Sequence, residues 1–105
     1  MAELLWTAGF DREFQETFET LEELSPGSGE RFIRTLDEAL GILRQYPESA
    51  PAYRGEFRRL VLRTANCGVF YRISGDRVVL IALLHFSFSR ETILRRLGEN
   101  PNRSG

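Results

Sequence analysis

The stretch "FRRLVLRTANCGVFYRISGDRVVLIALLH", residues 57–85, decides the fold. Its apolar period is two, the period of strands. In "FRRLVLR" Leu60 and Leu62 share one face, and Arg59, Val61 and Arg63 share the other. "TANCG" reads as a turn. "VFYRI" sets Val69, Tyr71 and Ile73 against Phe70 and Arg72. "SGD" is a tight turn in which Gly75 supplies a backbone dihedral that other residues resist. "RVVLIALLHF" is apolar on both faces, which suits a central strand covered on both sides. A three-stranded antiparallel meander is expected.

Upstream the period changes. "LLW" is a short apolar run, and residues 3–7 read as a strand, with Thr7 placed to cap a helix. In "AGFDREFQETFETLEEL" Phe10, Phe14, Phe18 and Leu21 recur at spacings of three and four, one face of an amphipathic helix with acids opposite. "SPGSG" interrupts it, and Ser25 with Pro26 reads as the cap and first residue of a second helix. There Ile33, Leu36, Leu40 and Leu43 form the periodic face, flanked by Phe32 and Ala39. Pro47 ends the helix near Tyr46. The short joint makes the two helices an antiparallel hairpin. "PESAPAYRGE" reads as a loop. Downstream, "SRETILRRLG" reads as a short helix capped by Ser89, with Gly98 as its C-cap, and "ENPNRSG" is polar.

The fold class is therefore α+β in one domain, residues 1–105. It has an N-terminal strand, an antiparallel helical hairpin, and a three-stranded antiparallel meander, which together make one four-stranded sheet, and then a short C-terminal helix. The first strand belongs beside the last, because a strand apolar on both faces wants a neighbour on each side. The hairpin covers one sheet face. Alternation alone leaves open which face that is. The other carries Arg59, Arg63 or their neighbours.

Composition sets limits on function. With 42% hydrophobic and 28% charged residues, the 105-residue chain is an ordinary globular domain. It has no run of apolar residues long enough to span a membrane, and "MAELLWT" is not expected to act as a signal peptide. The single cysteine, Cys67, excludes an internal disulfide, and a cytoplasmic location is expected. Net charge is −1, but it is divided. Residues 1–52 hold eleven acids and four arginines, a net of −7; residues 53–105 hold four acids and ten arginines, a net of +6. All fourteen basic residues are arginines, whose planar forks suit carboxylates, phosphates and aromatic faces. The second half thus suits an anionic partner, unless the halves neutralise each other. One histidine and one cysteine make no recognisable metal site, and no phosphate loop follows a strand; no cofactor is expected.

Residues 57–85, the helical hairpin and the "YPESAP" linker resemble the RelE/ParE toxin superfamily. The resembling features are an arginine-bearing strand, a "GVFYR" strand, a "GDRVV" turn and a final apolar strand ending in Leu84–His85. The resemblance implies the toxin of a bacterial type II toxin–antitoxin pair, associated with plasmid stabilisation. Its antitoxin would be ParD-like, and operator DNA would be met only through that antitoxin. The RelE branch cleaves messenger RNA in the ribosome; the ParE branch acts on DNA gyrase.

RNA cleavage needs a base for the 2′-hydroxyl, an acid for the leaving oxygen and cations for the phosphate. The positions where the RelE branch keeps such groups fall at Arg59, Val61, near Gly68, near Ser87 and near Ile93. Only Arg59 keeps a useful charge. Glu56, Arg63 or Arg72, and His85 could imitate the set used by some ribonuclease relatives, and they are the catalytic candidates. A lone histidine at the end of a buried strand is more often structural, so a ParE-like, non-enzymatic gyrase inhibitor is the expectation. An RNA-cleaving toxin and an inactive antitoxin-binding relative are the alternatives. Arg54, Arg58, Arg59, Arg63, Arg72, Phe86, Phe88 and Arg90 are the partner-binding candidates. In "HFSFSR" Phe86 and Phe88 share one side of an extended segment, and serines replace the cations an RNA-cleaving site would want.

Overall fold

The change of period at Thr7 marks the first turn of the chain. The computed structural model describes residues 1–98. Strand β1 (Glu3–Trp6) leads into helix α1 (Ala8–Leu24). Thr7 Oγ1 accepts the Phe10 amide at 3.1 Å, the capping role expected of it. Helix α2 (Ser28–Gln45) begins later than Ser25–Pro26 implied. Gly27 adopts φ +91°, and the Glu22 carboxylate of α1 accepts the Gly27 and Gly29 amides at 3.1 and 2.7 Å. Of the first amides of α2, Gly29 is thus satisfied from the preceding helix, and Ser28 donates to the Ser25 carbonyl at 3.0 Å, so a serine side-chain cap is replaced.

After α2 the chain forms β2 (Ala52–Arg54), β3 (Phe57–Leu62), a 3₁₀ turn (Arg63–Ala65), β4 (Cys67–Ser74), β5 (Arg77–His85) and α3 (Arg90–Gly98). The sheet has five strands in the order β1-β5-β4-β3-β2. The expected four-stranded sheet is corrected by β2, three residues of the supposed loop, which pair antiparallel with β3. β1 lies beside β5 as expected, and runs parallel to it, Glu3 opposite Arg77 through Trp6 opposite Leu80. The remaining pairings are antiparallel, so the sheet is mixed. Gly75 turns β4 into β5 at φ +61°.

The hairpin covers the Leu60/Leu62 face. Phe10, Phe32, Leu36 and Leu43 pack there against Leu62, Val69, Tyr71, Val78, Leu80 and Leu83. Phe32 is buried while Ile33 is 40% exposed, so the core face of α2 is turned by one residue from the expected stripe. Phe32 instead stacks on Phe14, their centroids 5.8 Å apart. On the opposite sheet face a second core joins Phe70, Ile81, Ala82 and Leu84 to Ile93 and Leu97 of α3.

A β-bulge divides β5 between these cores. Phe70 pairs with Ala82, but Tyr71 pairs with Leu80, which leaves Ile81 as the extra residue. Leu80 and Leu83 therefore both face the hairpin. β1 also stops at Leu80, so the outer edge of β5 from Ile81 onward lacks a strand. Side chains replace it. Thr7 Oγ1 and Arg96 Nη2 donate to the Ile81 carbonyl at 3.1 and 2.9 Å, and the Leu83 amide donates to Glu13 Oε1 at 3.1 Å. Arg96 grips Glu13 with two hydrogen bonds, Nε to Oε2 at 2.8 Å and Nη2 to Oε1 at 3.1 Å. This pair locks α3, α1 and β5 together.

Candidate functional site

The sheet face opposite the hairpin is covered by α3 at one end and left open beside β3. The open part is a groove of about 520 Å³, lined by Tyr53, Arg59, Val61, Arg63, Gly68, Phe70, Leu84, His85, Phe86, Phe88, Arg90 and Ile93. Alternation along β3 puts Arg59 and Val61 into it, since Leu60 and Leu62 are claimed by the hairpin core. Gly68 is opposite Val61 on β4. A Cβ there would stand 3.1 Å from both Cγ and Cδ of Arg59, so the glycine leaves room for the arginine stem to lie flat.

Tyr53 is the centre of the groove. Its ring meets Phe70 edge-on, centroids 5.1 Å apart, and carries the guanidinium carbons of Arg59 and Arg90 at 4.9 and 5.1 Å from its centroid. Cation–π contact of this kind orients a guanidinium while leaving its N–H donors unspent. Among the described residues, Arg59, Arg63 and Arg90 form no ion pair and donate no side-chain hydrogen bond. No carboxylate lines the groove. The result is a concave surface of aligned positive forks over an aromatic and aliphatic floor.

His85 stands at the rim. The Ser87 amide donates to its Nδ1 at 3.0 Å, and Ser87 Oγ lies 2.8 Å from the same nitrogen. An amide can only donate, so Nδ1 is an acceptor and the neutral ring carries its proton on Nε2. His85 thus presents a donor on the nitrogen away from Ser87.

The sequence candidates divide in space. Arg59, Arg63, His85, Phe86, Phe88 and Arg90 come together in the groove. Of the neutral residues at positions compared with the RNA-cleaving branch, Val61, Gly68 and Ile93 also line it, whereas Ser87 does not. Arg58 lies on the hairpin face, where its guanidinium donates to the carbonyls of Glu48 and Ala50 at 3.3 and 2.8 Å. With the Tyr71 hydroxyl, which donates to the Pro47 carbonyl at 2.7 Å, it fastens the loop after α2. Glu56 is exposed in the turn between β2 and β3, Arg54 is exposed on edge strand β2, and Arg72 is half-buried on β4; none of the three lines the groove. Sequence reasoning missed Tyr53 as the organiser, because its strand was read as loop.

Two other groups have little chemistry to offer. Burial pushes the Cys67 thiol up to about 11, so it is a poor nucleophile at neutral pH. Among the described residues no cluster of three or more His, Cys, Asp or Glu side chains could hold a metal, and no helix is long and apolar enough to cross a membrane.

Residues 4–88 match the family described as the ParE toxin of type II toxin–antitoxin system, parDE. No curated protein sequence matches the chain significantly. Among solved structures, the chromosomal ParDE toxin–antitoxin system from P. aeruginosa superposes with a TM-score of 0.70 at 17% identity, over 81% of this chain and 96% of the other. The isolated E. coli RelE toxin superposes with a TM-score of 0.60, also at 17% identity, over 92% and 99%. At these identities the two structures speak for the fold.

Proposed function

The chain belongs to the ParE toxin family of type II toxin–antitoxin systems, and on that premise we propose that it arrests growth by binding DNA gyrase and is neutralised by a ParD-like antitoxin. The observation that carries the choice of target is the chemistry of the groove. RNA cleavage asks for a proton acceptor and a proton donor on opposite sides of a phosphate, with cations around it. Here the cations are present, but Val61, Gly68 and Ile93 offer no titratable group. Histidine is the only residue type lining the groove that ordinarily titrates near neutral pH. Its Nδ1 is already engaged by Ser87. A surface of this kind binds; it is poorly equipped to move protons.

The three unspent arginines also favour a second reading, RNA binding with cleavage by His85 as in the RelE branch. Pulse labelling after induction separates the two. Gyrase inhibition predicts that thymidine incorporation falls before methionine incorporation. A prior fall in methionine incorporation, with new RNA 5′ ends inside codons, would replace this reading by the RNA-cleaving one.

A further inference from the structure

The groove does not end at His85. A second concavity of about 320 Å³ lies between α1 and the unpaired end of β5, lined by Glu13, Glu16, Thr17 and Thr20 of α1 and by Leu83, Leu84, His85 and Phe88. Leu84, His85 and Phe88 line both. The two are thus one trough that laps round the end of β5. One arm carries Arg59, Arg63 and Arg90 without a carboxylate. The other carries glutamates without an arginine. Glu13 is spent on Arg96, but Glu16 is exposed and forms no ion pair among the described residues. Phe88, shared by the two arms, is 44% exposed, and Phe86, in the arginine arm, is 45% exposed.

We propose that this trough is a docking site for an extended peptide segment of a protein partner whose charge runs in a fixed order: an acidic side chain over the arginines, apolar side chains over Phe88 and Leu84, and a basic side chain over Glu16. Charge complementarity selects this occupant. Guanidinium forks bind carboxylates bidentately, and an apolar centre rewards burial. A nucleic acid strand would satisfy the arginine arm alone, because its next phosphates would meet Glu16. The Tyr53 ring is also a poor platform for a base, since Phe70 and two guanidinium groups already pack on it. A dipolar peptide meets both arms favourably. The site stands independently of the gyrase assignment.

The test is selection of a random peptide display library on the full chain, followed by affinity measurement on the enriched peptides. The expected consensus is acidic, then apolar, then basic. Arg90→Glu and Glu16→Arg, both at exposed positions, should each weaken binding at least tenfold with the fold retained by circular dichroism. The double variant should recover affinity for a peptide whose acidic and basic ends are exchanged. A pool without that charge order, no enrichment, indifference to the two variants, or displacement of the peptide by an equimolar single-stranded RNA decamer would each overturn the proposal.

Discussion

Arg96→Met should be among the most damaging single changes on the protein, although Arg96 looks in sequence like one of a pair of solvent-facing arginines on a short helix. Its side chain is 16% exposed and that of its partner Glu13 is 12% exposed. The substitution deletes two hydrogen bonds to Glu13 and one to the Ile81 carbonyl. It also leaves the largely buried Glu13 carboxylate with only the Leu83 amide to satisfy it. Removing one partner of a buried pair costs about 3–5 kcal/mol, because the remaining charge is stranded. A small domain has only ~5–15 kcal/mol of stability in all. At ~4 °C or more per kcal/mol, the melting temperature should fall by about 12 °C or more. Arg95 gives the control from the same helix turn: its pair with Glu91 is 65% and 86% exposed, so Arg95→Ala should cost under ~0.5 kcal/mol. Adding Glu13→Gln to Arg96→Met should recover part of the loss, since the stranded charge disappears while an acceptor for Leu83 remains. Urea unfolding and thermal melts of the three variants and the parent measure all of this. A loss for Arg96→Met no larger than that for Arg95→Ala would refute the view that side chains replace the missing strand beside β5.

Gly29→Ala should destabilise by ~1–3 kcal/mol in the same assay, because a Cβ there would stand 2.6 Å from Cε2 of Phe18 and force the hairpin apart. Above pH 9 stability should fall. The Cys67 thiol is raised by burial from 9.0 to about 11, so the unfolded chain loses that proton first and folding is weakened as pH climbs through this window. Tyr71, raised by burial, adds to the slope in the same direction, so Cys67→Ala should flatten only part of it in a pH series of urea melts. His85→Gln should leave growth arrest on induction within about threefold of the parent, because the proposed action is binding and moves no proton; RNA 5′ ends that the parent produces and this variant, with its fold intact, does not would return His85 to a catalytic role.

How much of this was legible depended on whether the deciding contact was local. The aromatic stripe of α1, the Thr7 cap, the Gly75 turn and the face carrying Leu60 and Leu62 follow from spacing, and the structure has them. β2 was hidden because it is three residues long, follows Pro51 and makes few pairs. The bulge at Ile81 was hidden because a run apolar on both sides carries no phase to break. Glu13 and Arg96 are 83 positions apart, and nothing in either helix marks them as partners. In the groove, alternation supplied Arg59 and Val61, and the resemblance supplied the positions of Gly68 and Ile93. The joining of arginine and glutamate arms at Phe88 needed the third dimension, since α1 and β5 meet only after folding.

The most direct test of the functional account is DNA supercoiling by purified gyrase titrated with the purified chain, alone and premixed with its antitoxin. The account predicts dose-dependent loss of supercoiling, relieved by antitoxin, with a reporter messenger RNA left intact in a parallel translation reaction. Full supercoiling at a large molar excess of the chain, together with cleavage of that RNA, would contradict it.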